Sequence, residues 1–140
     1  MRVLVLGKAT DESESGQFGS PEEFVTMDRF NEELVAAGVV LAADGLQPTS
    51  KGKRVAFDPD GTTRVIDGPF AETKELVAGY SIWEVSSMDE AVEWVKRSPL
   101  RTGEVELRKI LDADDFGAAL PAEIAAAEER VRAEPATAAE

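Results

Sequence analysis

The sequence has no cysteine and no histidine among its 140 residues. Without cysteine there is no disulfide framework, no thiol nucleophile and no thiolate metal site, and without histidine no mechanism can use an imidazole. Any chemistry therefore rests on carboxylates, lysines, hydroxyls or the backbone. We expect neither a metal site nor a cofactor.

Basic residues are also few, because 15 lysines and arginines stand against 28 acidic residues, for a net charge of −13. Phosphate backbones and anionic membrane surfaces repel such a chain, so neither nucleic acid nor a membrane is an expected partner. No apolar run approaches the roughly 20 residues that cross a bilayer, and the apolar start Val3–Leu6 is too short for a signal-peptide core. We expect a cytoplasmic protein.

The first part of the chain predicts a strand, a helix and a second strand. Arg2–Leu6 is apolar on both faces, which favours a position in the middle of a sheet. The polar stretch Lys8–Ser20 is expected to be a mobile loop. Ser20 can cap a helix that ends at Gly38, and Val39–Ala43 predicts a second buried strand. The inward stripe of the helix consists of Phe24, Met27, Phe30 and Leu34.

The second part predicts a hairpin, a strand, a helix and a closing strand. The hairpin pairs Arg54–Phe57 with Thr63–Ile66 around a turn rich in proline and glycine. Leu76–Val85 is long enough for a central strand, and Ser87 begins a capping box for the next helix. Glu104–Leu111 is the closing strand.

In chain order these elements are β-α-β, an inserted hairpin and β-α-β, which is the ferredoxin-like plan of an α+β protein with an antiparallel sheet. Its two helices cover one face of the sheet, yet Val3 and Val5 are as apolar as Leu4 and Leu6. We therefore expect a second copy of the chain to cover the other face, giving a symmetric, barrel-like homodimer.

We place the domain at residues 1–111 and an acidic, partly helical tail at residues 112–140. The tail has eight acidic residues against two basic ones, a net charge of −6. Its narrow apolar stripe is too small to fold alone but can lie on a neighbouring surface. The stripe consists of Leu120, Ile124, Ala127 and Val131.

The stretch Asp67–Glu75 is the most distinctive motif, and each half of it has two interpretations. Asp67, Gly68 and Pro69 can simply build a turn, or Asp67 can act as a general base or ligand acceptor at a cleft. The like charges of Glu72 and Glu75, with Lys74 between them, can create a proton-transfer group if the site is partly buried, or form a solvated loop.

On this motif the chain resembles the YCII-related proteins of the DGPF group, small bacterial proteins named for the tetrapeptide Asp67–Phe70. The resemblance extends over about residues 1–116 and includes Gly79-Tyr80 and Arg97-Ser98-Pro99. It implies a dimeric ferredoxin-like fold with a cleft between the sheet and its partner.

The resemblance also has consequences for function. Related proteins are suspected of using a His and Asp pair, which this chain cannot form; at Gln47, where we expect a histidine in relatives, it has an amide. Some relatives are fused to, or encoded beside, extracytoplasmic-function sigma factors, which implies a regulatory partner.

Together these observations predict a cofactor-independent small-molecule-binding protein or enzyme with an intersubunit cleft. The alternative is a non-catalytic, dimeric interaction module, linked to sigma-factor control, whose acidic tail holds a protein partner. The candidate catalytic residues are Asp67, Glu72, Lys74 and Glu75. The candidate ligand-binding residues are Gln47, Gly68, Pro69, Phe70, Thr73 and Tyr80.

Overall fold

The computed structural model describes residues 1–133 and divides the chain into two units, Met1–Lys109 and Ile110–Glu140. The helices and strands of the first unit are β1 Arg2–Lys8, α1 Asp11–Glu14, α2 Pro21–Ala36, β2 Val40–Gly45, β3 Lys53–Phe57, β4 Thr63–Asp67, β5 Val77–Glu84, α3 Met88–Lys96 and β6 Val105–Lys109. The second unit contains α4 Ala113–Phe116 and α5 Ala122–Ala133. The protein is therefore a mixed α+β protein, as predicted.

Four strands form an antiparallel sheet in the order β2-β5-β1-β6. The central position of β1 confirms the prediction made from its apolar faces. In the register of β1 and β5, Val3 lies opposite Trp83 and Leu4 lies opposite Ile82. Because side chains alternate along a strand, these two pairs point to opposite faces of the sheet.

The core lies on the face that α2 and α3 cover. Val3, Trp83 and Ala91 are buried there, and Leu34 of α2 is only 2% exposed. Leu4 and Ile82, by contrast, are half-buried and lie outside this core cluster. The two faces of the sheet thus differ in how they are covered.

The capping box predicted at the start of α2 is confirmed. The Ser20 hydroxyl accepts from the Glu23 N–H, and the Glu23 carboxylate accepts from the Ser20 N–H at 2.8 Å. Phe24 of the predicted inward stripe is 59% exposed, so that assignment is wrong. It lies in the first turn of the helix, and the buried residues of α2 are Phe30 and Leu34, further along.

The start of α3 differs from its prediction in one contact. The Ser87 hydroxyl accepts from the Glu90 N–H at 3.1 Å, as expected of a cap. The Glu90 carboxylate, however, accepts from the backbone and hydroxyl of Ser86 instead of the backbone of Ser87. These hydrogen bonds stabilise the ionised form and lower the pKa of Glu90.

Two further predictions need correction. The expected mobile loop Lys8–Ser20 contains the end of β1 and the short helix α1, whose first turn is closed by reciprocal hydrogen bonds between Thr10 and Ser13. Local capping and the burial of Ala9 order the first part of this segment. The second strand, β2, is an edge strand rather than a buried one, and its Leu41 is 56% exposed.

The predicted hairpin is confirmed as a separate two-stranded sheet of β3 and β4. Val55 and Val65 lie opposite each other, and with Phe57 they form one face. All three side chains are exposed, Phe57 by 82%. A two-stranded sheet is at best marginally stable alone. The hairpin thus combines a marginally stable sheet with an exposed apolar face.

In the second unit, Asp112 caps the start of α4, and its carboxylate accepts from the N–H groups of Asp114 and Asp115. The helix predicted in the tail is present as α5. Residues 134–140 of the predicted tail lie outside the described residues, and the boundary after residue 111 stays a prediction. Within residues 1–133, no helix is long and apolar enough to span a bilayer.

Candidate functional site

The Asp67–Phe70 tetrapeptide begins with the last residue of β4 and folds back onto the turn at Thr49. A Cβ atom added to Gly68 would lie 1.6 Å from the Thr49 carbonyl oxygen, so no other residue fits there without moving the backbone. The Gly68 N–H donates to the Gly52 carbonyl at 3.1 Å, and the Gly68–Pro69 peptide bond is cis. Gly68 therefore serves close backbone packing.

Asp67 lies at the end of β4 opposite Lys53 of β3, and the two side chains form an ion pair. Both are mostly exposed, and exposed ion pairs contribute little to stability. The pair leaves the carboxylate of Asp67 accessible to solvent. Its role as a general base or ligand acceptor stays a prediction.

Phe70 is held from two sides. Its N–H donates to Thr49 Oγ1 at 3.2 Å, and the Arg54 guanidinium lies 3.8 Å from the centre of its ring. Thr49 is itself held by Glu14 of α1, whose carboxylate accepts from the Thr49 N–H at 3.2 Å and from the Thr49 hydroxyl. Glu14 and Thr49 thus fasten the motif to α1.

The remaining candidates of the motif lie on the surface. Glu72, Lys74 and Glu75 are exposed, while Thr73 is half-buried in a 3-10 turn. Gln47, on the segment that follows β2, is also exposed. Because the proton-transfer hypothesis requires a partly buried site, the first unit alone does not provide its setting, and the roles of these residues stay predictions.

Tyr80 lies on the face of the sheet opposite the core. We call this surface the open face and define it by Leu4, Leu6, Tyr80 and Ile82. The Tyr80 hydroxyl donates to Asp44 Oδ2 of the edge strand at 2.8 Å. This hydrogen bond and the charge of Asp44 raise the pKa of Tyr80 above its ordinary value of 10.0.

The sequence does not predict Asp44 as a site residue, because Asp44-Gly45 simply follows the apolar stretch Val39–Ala43. A register shift between Val40 and Ala42 sets the position of Asp44 in the strand. Such an irregularity exchanges the two faces of a strand. No local sequence signal announces the resulting contact with Tyr80, 36 residues away.

The other side of the open face carries a second polar group. Leu6 lies between Tyr80 on β5 and Glu106 on β6. Glu106 contacts Lys8 Nζ at 3.3 Å and Arg108 Nη1 at 3.4 Å. Hydrogen bonds from these two cations lower the pKa of Glu106, which keeps it ionised.

The open face is therefore an apolar floor with a charged or polar group at each side. The proton of the Tyr80 hydroxyl is engaged with Asp44, so its oxygen offers lone pairs to a ligand. Lys8 can offer the donors that Glu106 does not use. Such an arrangement can hold and orient an organic molecule. Within residues 1–133, no cluster of three acidic side chains is suited to a metal ion.

Two clefts of the first unit lie between α2 and other parts of the chain. One, of about 660 Å³, lies between the first turns of α2 and the segment Pro99–Arg101. The other, of about 350 Å³, lies between α2 and strands β2 and β5, and Tyr80 is among its lining residues. None of the four candidate catalytic residues lines either cleft.

Comparison with known proteins gives a family match and two individual similarities. The model of the YCII-related domain matches residues 1–114. An uncharacterized protein of Rhizobium meliloti (strain 1021) is 33% identical over 81 residues, which are 56% of this chain and 64% of that protein, so the match spans less than two thirds of the relative.

The solved structure of 5-chloro-2-hydroxyhydroquinone dehydrochlorinase from Burkholderia phenoliruptrix AC1100, in complex with 2,5-dihydroxybenzoquinone, is similar at 13% identity. The similarity covers 82% of this chain and 98% of that one, with a TM-score of 0.47.

Replacing Gly68 with alanine is expected to destabilise the first unit by at least about 3 kcal/mol, because the new methyl group cannot coexist with the Thr49 carbonyl. Urea unfolding followed by circular dichroism measures the change. Gly45→Ala is the matched control, since its Cβ would meet nothing within 4 Å. Equal stability of the two variants would contradict the described packing.

The chain has one tyrosine, so ultraviolet absorbance against pH reports Tyr80 alone. We expect its pKa above 10.0 in the native protein and a decrease in Asp44→Asn. Because the pKa is raised on folding, the contact stabilises the fold fully below pH 10.0 and loses this contribution as the pH rises through the folded-state pKa. An identical titration of both proteins would refute the contact.

Proposed function

The chain belongs to the YCII-related family, and we propose that it is a cofactor-independent homodimer that binds a small organic molecule between the open face and a second copy. The observation that carries this proposal is the Tyr80–Asp44 hydrogen bond at the edge of an apolar sheet face outside the core cluster. A polar pair on an apolar floor is the usual composition of a small-molecule site.

The ferredoxin-like plan is part of the proposal. The strand order β2-β5-β1-β6 supports it, because each β-α-β half contributes one central and one outer strand. The hairpin of β3 and β4 lies between the two halves in sequence and forms its own sheet. We treat the hairpin as an insertion into this plan.

Two apolar surfaces support dimerisation. Leu4, Leu6 and Ile82 are half-buried on the open face, although the helices of the first unit pack on the other face. The hairpin exposes Val55, Val65 and Phe57 as well. Contiguous apolar surface of this kind is typical of a protein interface, and a two-fold dimer would bury the same surface of both copies.

The ligand would lie with its apolar part on Leu6 and Ile82 and its polar part at the edge of the sheet. Tyr80 and Asp44 would bind a donor of the ligand through their free lone pairs. Asp67, Glu72, Lys74, Glu75, Gln47 and Thr73 would border this cleft from the rim. Gly68, Pro69 and Phe70 would hold that rim in place through the contacts with Thr49.

The dimer is tested by placing a charge on the open face. Ile82→Arg is expected to convert a dimer at micromolar concentration into a folded monomer, because an unpaired charge cannot be buried between two apolar sheets. Sedimentation equilibrium measures the mass. Val35→Arg on the outside of α2, where Val35 is 64% exposed, is the control and should stay dimeric. A monomeric native protein would end this part of the proposal.

Ligand binding is tested by a thermal-shift screen of the native protein against a metabolite library. A hit at the open face should lose most of its shift in Tyr80→Phe, which removes only the hydroxyl, and part of it in Asp67→Asn and Lys74→Ala. Metabolites whose thermal shift is unchanged by all three substitutions would place the binding elsewhere.

The alternative function is a non-catalytic interaction module that holds a protein partner through its tail. The exposure of Ile124 and Val131 on α5, by 49% and 74%, favours it. A screen that returns no metabolite, together with capture of a sigma factor by the native chain but not by a chain lacking residues 117–140, would favour the alternative over the small-molecule site.

A further inference from the structure

Three glycines lie side by side on neighbouring strands of the sheet. Gly45 of β2 lies opposite Gly79 of β5, and Gly79 lies opposite Gly7 of β1. We call them the glycine row. They alternate along their strands with Asp44, Tyr80 and Leu6, so they belong to the face that carries the core. Glycine inside a strand weakens it and often marks the close approach of a ligand or another backbone.

Backbone conformation does not explain this row, since none of the three glycines has a positive φ. Gly79 has a steric reason, because a Cβ there would lie 3.2 Å from the Asp44 carbonyl oxygen. Gly7 would make only an ordinary contact of 3.7 Å, and Gly45 would meet nothing within 4 Å. At Gly45 in particular, the missing side chain leaves open space.

That open space is part of the cleft of about 350 Å³ between α2 and the sheet. Gly45 and Gly79 form part of its lining, and Phe30, Asn31 and Leu34 line it from α2. Its volume is near the lower end of small-molecule sites, which extend over roughly 300–1,000 Å³. A molecule with a single ring is of suitable size.

A second, independent observation concerns Trp83, which also lines this cleft. Its side chain is buried, with the residue 4% exposed, and its indole Nε1 has no hydrogen-bond partner within the described chain. Buried donors in native proteins are nearly always paired. Strand β5 therefore carries a buried hydrogen-bond donor without a partner, beside a cleft whose lining includes two glycines.

We propose that this cleft binds a small planar aromatic molecule that carries a hydrogen-bond acceptor. The ring lies on Gly45 and Gly79 beside Phe30 and Trp83, where flat apolar surfaces favour aromatic packing. The acceptor accepts a hydrogen bond from the Trp83 Nε1–H group. This site lies within one protomer, between α2 and strands β2 and β5, and needs no second copy. Asp44 and Tyr80 of the open-face hydrogen bond also line it.

The test uses the indole N–H signals in a proton–nitrogen correlation spectrum of the full-length protein. The chain has two tryptophans, and the Trp94→Phe variant identifies the signal of Trp83. The probe is acetophenone, whose carbonyl is the acceptor, and the matched control is ethylbenzene, which has the same ring without one.

We expect acetophenone to move the Trp83 indole signal downfield in a saturable manner, and ethylbenzene to bind about tenfold more weakly because it cannot accept that hydrogen bond. Gly45→Leu, which fills the cleft, should abolish the response, and Gly45→Ala should weaken it. Ile82→Arg, which alters the open face and is not among the residues that line the cleft, should leave it unchanged.

An unmoved Trp83 signal in the native protein would overturn the proposal, as would an equal response in Gly45→Leu. Because Ile82→Arg disrupts the proposed open-face dimer and keeps the glycine row, the two proposals fail separately in this experiment. If Gly45→Leu does not fold, the proposal is decided by Gly45→Ala, in which the Trp83 response to acetophenone should be weaker than in the native protein.

Discussion

The first unit depends on a mismatch between a sheet with two apolar faces and the helices α2 and α3, which cover only one of them. The central strands β1 and β5 place Val3 and Trp83 under the helices, and Leu4 and Ile82 on the other side. Apolar surface that stays in water forgoes the main favourable term in folding. Covering the open face is therefore the central requirement of our account, and a second copy of the chain is the cover we propose.

The signature tetrapeptide contributes to this account mainly through its structure. Gly68 allows the backbone to approach Thr49, and Phe70 is held by Thr49 and Arg54. Glu14 then connects Thr49 to the first helix. These contacts give Gly68 and Phe70 of the motif structural roles, and neither role requires a chemical reaction. Tyr80 and Glu106, two of the groups with perturbed pKa values, lie on the sheet instead.

Much of the fold could be predicted because its signals are local. The Ser20–Glu23 box, the hairpin turn and the apolar character of β1 each lie within a few residues. The order in the first part of the Lys8–Ser20 segment was missed, since the side-chain caps of α1 and the single buried residue Ala9 hold it.

The contacts of the site were the least predictable part. The Tyr80–Asp44 contact depends on an irregular register in an edge strand, and the Glu14–Thr49 contact joins residues 35 apart. Neither arrangement leaves a pattern in the sequence.

Contact between open faces can be measured directly because the chain has no cysteine. An Ala42→Cys chain carries a spin label on its single cysteine and is mixed with native chains that are enriched in nitrogen-15 and carry no spin label. Broadening of the amide signals of the native chains then reports how close they lie to the label on another copy. Our account predicts that the amide signals of Leu4, Leu6 and Ile82 broaden in the mixed sample. Broadening confined to α2, or none between copies, would contradict it.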